Sequence, residues 1–216
     1  MKLAPGPRRS IGTFTDADRS SLKFLFMKTS SDPNPPLDAR PWHYAPTAVL
    51  LHWTVAALVV FMAALGWYMI SIERQPGAGW YFNLHRSIGA VAALLVVARL
   101  LFRWKNKPAP LPASMPVWQA RVATAVQALL YVLLVALPVT GYVGSSYGNG
   151  YVQVFGIETP RWTLKDKDLG ESFYGIHSIL VWVLVALVAA HVLGALKHLL
   201  LDKDGVFQRM WFAPKS

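Results

Sequence analysis

The sequence predicts an all-α integral membrane protein, a four-helix bundle with both termini in the cytoplasm. Three observations predict it. Only 15% of the 216 residues are charged and 54% are hydrophobic, whereas soluble domains carry about 25% charged residues. The uncharged residues gather into four long runs, on the scale of the roughly 20 apolar residues a helix needs to cross a bilayer. The basic residues then fall on one side of those runs.

Residues 1–46 precede the first run. Pro5-Gly6-Pro7, Arg8-Arg9 and Pro33-Asn34-Pro35-Pro36 break any sustained period, which predicts a disordered cytoplasmic tail. No signal peptide is visible, and Met27-Lys28 reads as an alternative start. The first span, 47–72, has no charged side chain and one histidine, His52. The second, 82–103, is less uniform because Arg86 and Arg99 lie inside it; both are near enough to its ends to snorkel. Four prolines in 106–116 predict a stiff connector. The third span, 122–147, carries Pro138 and Gly141, which membrane helices tolerate. Residues 148–171 form the longest loop, edged by aromatics suited to the interface. The fourth span, 172–196, contains His177 and His191. The transmembrane domain thus covers 47–201, and 202–216 is a cytoplasmic C-terminal tail.

The net charge of +10 does not point to nucleic acid. Sixteen of the 21 Lys and Arg residues fall in the N-terminal tail, the inner end of span two with the connector after it, and the C-terminal end. The other five, Arg74, Arg86, Arg161, Lys165 and Lys167, are matched by Glu73, Glu158, Asp166, Asp168 and Glu171. The positive-inside rule places both termini in the cytoplasm, and anionic lipid accounts for the basic balance. With no cysteine in the chain, disulfides, iron–sulfur clusters and thiolate zinc sites are excluded.

Ionisable residues inside a membrane are functional candidates, and here they are histidines. His177 and His191 are fourteen residues apart, about 21 Å along a helix and forty degrees short of four full turns, so they share a face. In the N-inside topology His52 lies at the depth of His191 and His85 at the depth of His177. Two layers of paired imidazoles suit bis-axial ligation of haem iron, and two haems fit. A lone histidine near a helix end is more often an interfacial residue than a ligand; it is the pairing by depth and face that points to metal. His198, on the stripe of His191, competes as a ligand, but Lys197, Asp202, Lys203 and Asp204 place it at the water boundary, near a haem propionate or a quinone. His43 is expected in solvent. Arg86 and Arg99 suit haem propionates or equally act as interfacial anchors, and Gly89 and Gly194 are the glycines expected to admit a ring or a helix. Trp53, Trp67, Tyr68, Tyr131 and Trp182 read as packing and belt residues.

Leu50-Leu51-His52-Trp53, Asn83-Leu84-His85-Arg86-Ser87-Ile88-Gly89, Ala136-Leu137-Pro138-Val139-Thr140-Gly141, Gly175-Ile176-His177 and Ala190-His191, with His198 and Lys203-Asp204-Gly205, together resemble the bacterial cytochrome b561 family over about residues 43–212. Val154-Phe155-Gly156 with Pro160 is similar to its periplasmic loop. The resemblance implies a di-haem b-type cytochrome of the bacterial inner membrane, with ligands His52, His85, His177 and His191. It implies electron exchange with ubiquinone, and a periplasmic donor, superoxide in one relative and a periplasmic or hydrogenase-type protein in others. The tail departs from the family's short leader. A histidine-lined metal or proton transporter is the competing class; it predicts acidic residues within the spans, and the four runs hold none. A haem-anchored sensor or assembly subunit without turnover is a third.

Overall fold

The computed structural model describes residues 43–112, 115–149, 151–159 and 162–211. The N-terminal tail up to residue 42, Met27, Pro160 and Arg161 lie outside the described residues. Four helices account for most of the rest: α1 (Pro46–Ser71), α2 (Ala78–Lys105), α3 (Val117–Asn149) and α4 (Lys167–Lys197). All four are long and apolar enough to cross a membrane. α1 matches its expected span to within one residue at each end, while α2, α3 and α4 outrun theirs because polar end turns remain helical. Pro46 opens α1, where its missing N–H costs nothing. Gly77, at φ 88°, turns the chain into α2, and α3 runs unbroken through Pro138. Asp166 caps α4 by accepting the Leu169 N–H at 3.0 Å, satisfying a donor the helix leaves unpaired.

α3 and α4 pack most closely, α1 packs on α2, and α2 touches α3 more lightly. Glycine explains the first contact. A Cβ on Gly170 of α4 would stand 2.7 Å from the Gly148 backbone of α3, and one on Gly144 would stand 3.0 Å from the Tyr174 ring. Gly144 and Gly148 form a G-x-x-x-G stripe, which lets membrane helices approach closely. The few buried apolar side chains include Val49, Val55, Leu65, Val96, Leu133 and Leu184. Val60, Leu94 and Leu193 are about two-thirds exposed, the apolar exterior expected where the solvent is hydrocarbon.

At one end of the bundle, the hairpin end, two short antiparallel strands, β1 (Gln153–Val154) and β2 (Ile157–Glu158), are joined by Phe155 and Gly156. Both joining residues have positive φ, 51° and 81°, as a two-residue type I′ hairpin requires. The hairpin is a finding within what the sequence predicts only as a loop. Its tip is pinned to α2, the Phe155 N–H donating to Ser87 Oγ at 2.8 Å, and Trp162 Nε1 donates to Ser146 Oγ on α3 at 3.1 Å.

The opposite, terminal end is closed by the segment after α4, a π-helical turn (His198–Asp202) and a 3-10 turn (Phe207–Met210). The Tyr44 N–H donates to the Arg209 carbonyl at 3.1 Å, Trp53 Nε1 donates to the Met210 carbonyl at 3.0 Å, and Arg209 Nη1 donates to the Pro110 carbonyl at 2.8 Å. His43 is not a solvated residue as expected: it is half-buried, with Nδ1 3.1 Å from the Gln208 carbonyl, because the last turn folds back over the start of α1.

Candidate functional site

Two pairs of histidines face each other across the bundle. His52 on α1 meets His191 on α4 with ring centroids 6.3 Å apart, and His85 on α2 meets His177 on α4 at 6.4 Å. Because α4 is one continuous helix, the two pairs are separated by about 21 Å along its axis. At these centroid separations each pair leaves room for one metal ion between its rings.

Hydrogen bonding fixes the state of one ring. His177 Nδ1 lies 3.0 Å from the Leu137 carbonyl, which can only accept, so Nδ1 carries the proton and Nε2 presents its lone pair. The Thr140 hydroxyl flanks the same nitrogen at 3.1 Å. His85 Nδ1 is the buried side-chain polar atom with no hydrogen-bond partner among the described residues. Glycines shape the space around both rings: a Cβ on Gly66 would stand 3.5 Å from His85 Cε1, and one on Gly141 would stand 3.3 Å from His177 Cε1. Neither role is among the glycine expectations. Of the two glycines that are, a Cβ on Gly89 would stand 3.4 Å from the Met62 methyl, and one on Gly194 would meet nothing within 4 Å among the described residues.

Arginines of α2 accompany each layer. Arg86 directly follows His85, and Arg99 Nη1 donates to the Ala48 carbonyl of α1 at 3.4 Å, one turn before His52. Arg99 Nε donates to Tyr131 Oη at 3.1 Å, and Arg103 Nη2 donates to Gln127 Oε1 at 3.3 Å. Both guanidiniums lie over the Tyr131 ring, 5.8 and 5.7 Å from its centroid, within cation–π range. Tyr131 is therefore more than a belt residue. His198 is engaged by carboxylates, its Nδ1 2.8 Å from Asp204 Oδ2 and 3.2 Å from Asp202 Oδ2, while Lys197 pairs with Asp202.

Four membrane-crossing helices with imidazoles opposed in pairs across an apolar interior define the class of transmembrane b-type cytochromes. The family model described as prokaryotic cytochrome b561 matches residues 43–213. The chain belongs to that family, whose members are haem-binding electron carriers, and it is a multi-pass inner-membrane protein. It is similar to "Cytochrome b561 homolog 2" of Escherichia coli (strain K12), 35% identical over 79% of this chain and 92% of the relative. It is 24% identical to "Cytochrome b561 homolog 1" of the same organism over 77% of this chain and 96% of the relative. It is 28% identical to "Probable superoxide oxidase CybB" of Yersinia pestis over 77% of this chain and 94% of the relative.

Proposed function

We propose that this chain is a di-haem cytochrome that moves electrons between a periplasmic donor, superoxide in the first instance, and ubiquinone. His52 with His191 would hold one haem and His85 with His177 the other. The carrying observation is that the four histidines within the spans meet in two pairs across the bundle, 6.3 and 6.4 Å between centroids. When bound, the haems supply reversible one-electron chemistry at iron. The protein supplies neutral imidazole lone pairs, an apolar shell that excludes water, and the bond from His177 Nδ1–H to the Leu137 carbonyl, which holds that ring in its ligating tautomer.

The excess of basic residues at the terminal end puts both termini in the cytoplasm, so the hairpin end faces the periplasm. Superoxide released as dioxygen gives up one electron; ubiquinone needs two electrons and two protons, so two superoxides serve one quinone. His198, hydrogen-bonded to Asp204, is the residue at the terminal end suited to meet a quinone oxygen. A second reading, a protein donor, is favoured by the apolar surface of the hairpin end, where Phe155 is 63%, Ile157 73% and Leu164 88% exposed.

A pyridine haemochrome assay should give two b-type haems per chain, and one haem overturns the two-layer reading. Stopped-flow mixing with superoxide separates the donors: reduction near the diffusional range supports superoxide, and reduction no faster than that of free haem supports the protein. A reduced protein that added ubiquinone never reoxidises removes the quinone.

A further inference from the structure

One turn of α3 receives the His177 ring. Two of its oxygens converge on Nδ1, the Leu137 carbonyl at 3.0 Å and the Thr140 hydroxyl at 3.1 Å. Gly141 leaves the ring its room, since a Cβ there would stand 3.4 Å from Nδ1. A neutral imidazole has one N–H, so the Nδ1 hydrogen is shared between a main-chain acceptor, which no substitution removes, and a side-chain acceptor, which one substitution does. The partner ring has no such hold: His85 Nδ1 is without a hydrogen-bond partner among the described residues. Of the two rings in this layer, His177 is the one that hydrogen bonding orients.

Thr140 is placed by its own helix. Oγ1 lies 2.9 Å from the Ala136 carbonyl and 3.0 Å from the Leu137 carbonyl, the back-bonding that a threonine makes inside a helix. Its single O–H donates to one of those carbonyls, and the oxygen lone pairs are left to accept from Nδ1–H. The order of control follows from these bonds. α3 fixes Oγ1, and Oγ1 with the Leu137 carbonyl then fixes the ring that α4 carries.

We infer that Thr140 is a positioning residue for His177: by accepting from Nδ1–H beside the Leu137 carbonyl, its hydroxyl holds the ring's rotation and tautomer and strengthens the Nε2 lone pair. Hydrogen bonding at one imidazole nitrogen raises the basicity of the other. A more basic nitrogen favours the oxidised, more highly charged iron, so the hydroxyl lowers the midpoint of a haem held there. That redox consequence rests on the di-haem reading; the hold on the ring does not.

The test uses the purified full chain in lipid nanodiscs, with Thr140→Val, which deletes the hydroxyl and keeps the shape, and Thr140→Ser, which keeps the hydroxyl. Redox titration followed by haem absorbance reads the midpoints. Nitrogen-15 NMR of the histidine-labelled, dithionite-reduced chain reads the His177 Nδ1–H signal, assigned by its loss in His177→Gln. In Thr140→Val that signal should move upfield and exchange faster with solvent, and one midpoint of the two should rise. The expected rise is on the order of threefold to tenfold in the reduced-to-oxidised ratio, the scale of one net hydrogen bond, and tenfold is about 59 mV for one electron. Thr140→Ser should match the parent in both. An Nδ1–H signal unmoved in Thr140→Val overturns the inference, as do two unmoved midpoints in the haem-loaded chain, or a Thr140→Ser chain that departs as far as Thr140→Val. A chain that carries no haem fails the di-haem reading, and the Nδ1–H signal alone then decides: movement supports the hold on the ring and none overturns it. If Thr140→Val does not fold, Thr140→Ala deletes the same hydroxyl and takes its place.

Discussion

Three glycines offer a graded test of how tightly the helices hold the two histidine layers. An alanine at Gly66, Gly141 or Gly170 gains at most about 1 kcal/mol of helix propensity at each site, so the differences among them report space. At Gly66 the added Cβ would sit 3.5 Å from His85 Cε1, ordinary contact that requires no movement. Gly66→Ala should therefore be neutral or slightly stabilising, with haem content and spectrum unchanged. At Gly141 the Cβ would sit 3.3 Å from His177 Cε1 and 3.4 Å from Nδ1, so the ring must give by a few tenths of an ångström. That movement acts on the 3.0 Å bond to the Leu137 carbonyl, and Gly141→Ala should alter the spectrum and midpoint of the hairpin-end haem with little loss of fold. At Gly170 the Cβ would meet the Gly148 backbone at 2.7 Å, and backbone cannot rotate aside. Overpacking costs about 1–3 kcal/mol, so Gly170→Ala should be destabilised on that scale after the propensity gain. Thermal unfolding in detergent, followed with haem absorbance, checks the order. A Gly170→Ala chain as stable as the parent, or a Gly66→Ala chain perturbed more than Gly141→Ala, would refute the reasoning.

Replacing His85 or His177 by alanine should remove one haem and spare the other, since the second pair lies about 21 Å along α4; haem content per chain decides. Trp53→Phe deletes the 3.0 Å bond to the Met210 carbonyl, a net contribution of about 1 kcal/mol, and amide exchange at 207–211 should quicken while α1 stays protected. A reporter fused after Ser216 should be active in the cytoplasm, and activity confined to the periplasm contradicts the charge argument.

Much of this arrangement is written in spacing. Four apolar runs, three of them free of charge, predict four helices, and the fourteen residues between His177 and His191 put both on one face of α4 by helix geometry alone. Depth follows from where the charged residues end each run, which sets His52 beside His191 and His85 beside His177. What spacing along one helix cannot give is the rotation of a helix about its neighbour. The closeness of Gly66 to His85 and of Gly141 to His177, the Arg86–Ser145 bond and the stacking of Arg99 and Arg103 on Tyr131 all depend on that rotation. The Gly144-x-x-x-Gly148 stripe was available as a signal, since small residues four apart mark a close crossing. The hairpin was not: two strands of two residues each are too short to show an alternating pattern. The fold-back of 207–210 onto Tyr44 and Trp53 rests mainly on backbone carbonyls, which carry no side-chain signature.

One feature of the helix order bears on how such a protein is made. α4 contributes a histidine to both pairs, meeting α1 through His191 and α2 through His177, and it is the last of the four helices to leave the ribosome. A nascent chain that has inserted only α1 to α3 contains His52 and His85 but no completed pair. The opposed imidazoles arise together, late, and within the membrane, so uptake of the prosthetic group belongs after translation. A chain truncated anywhere before residue 177 completes neither layer, and one ending between 177 and 191 completes only the layer at the hairpin end.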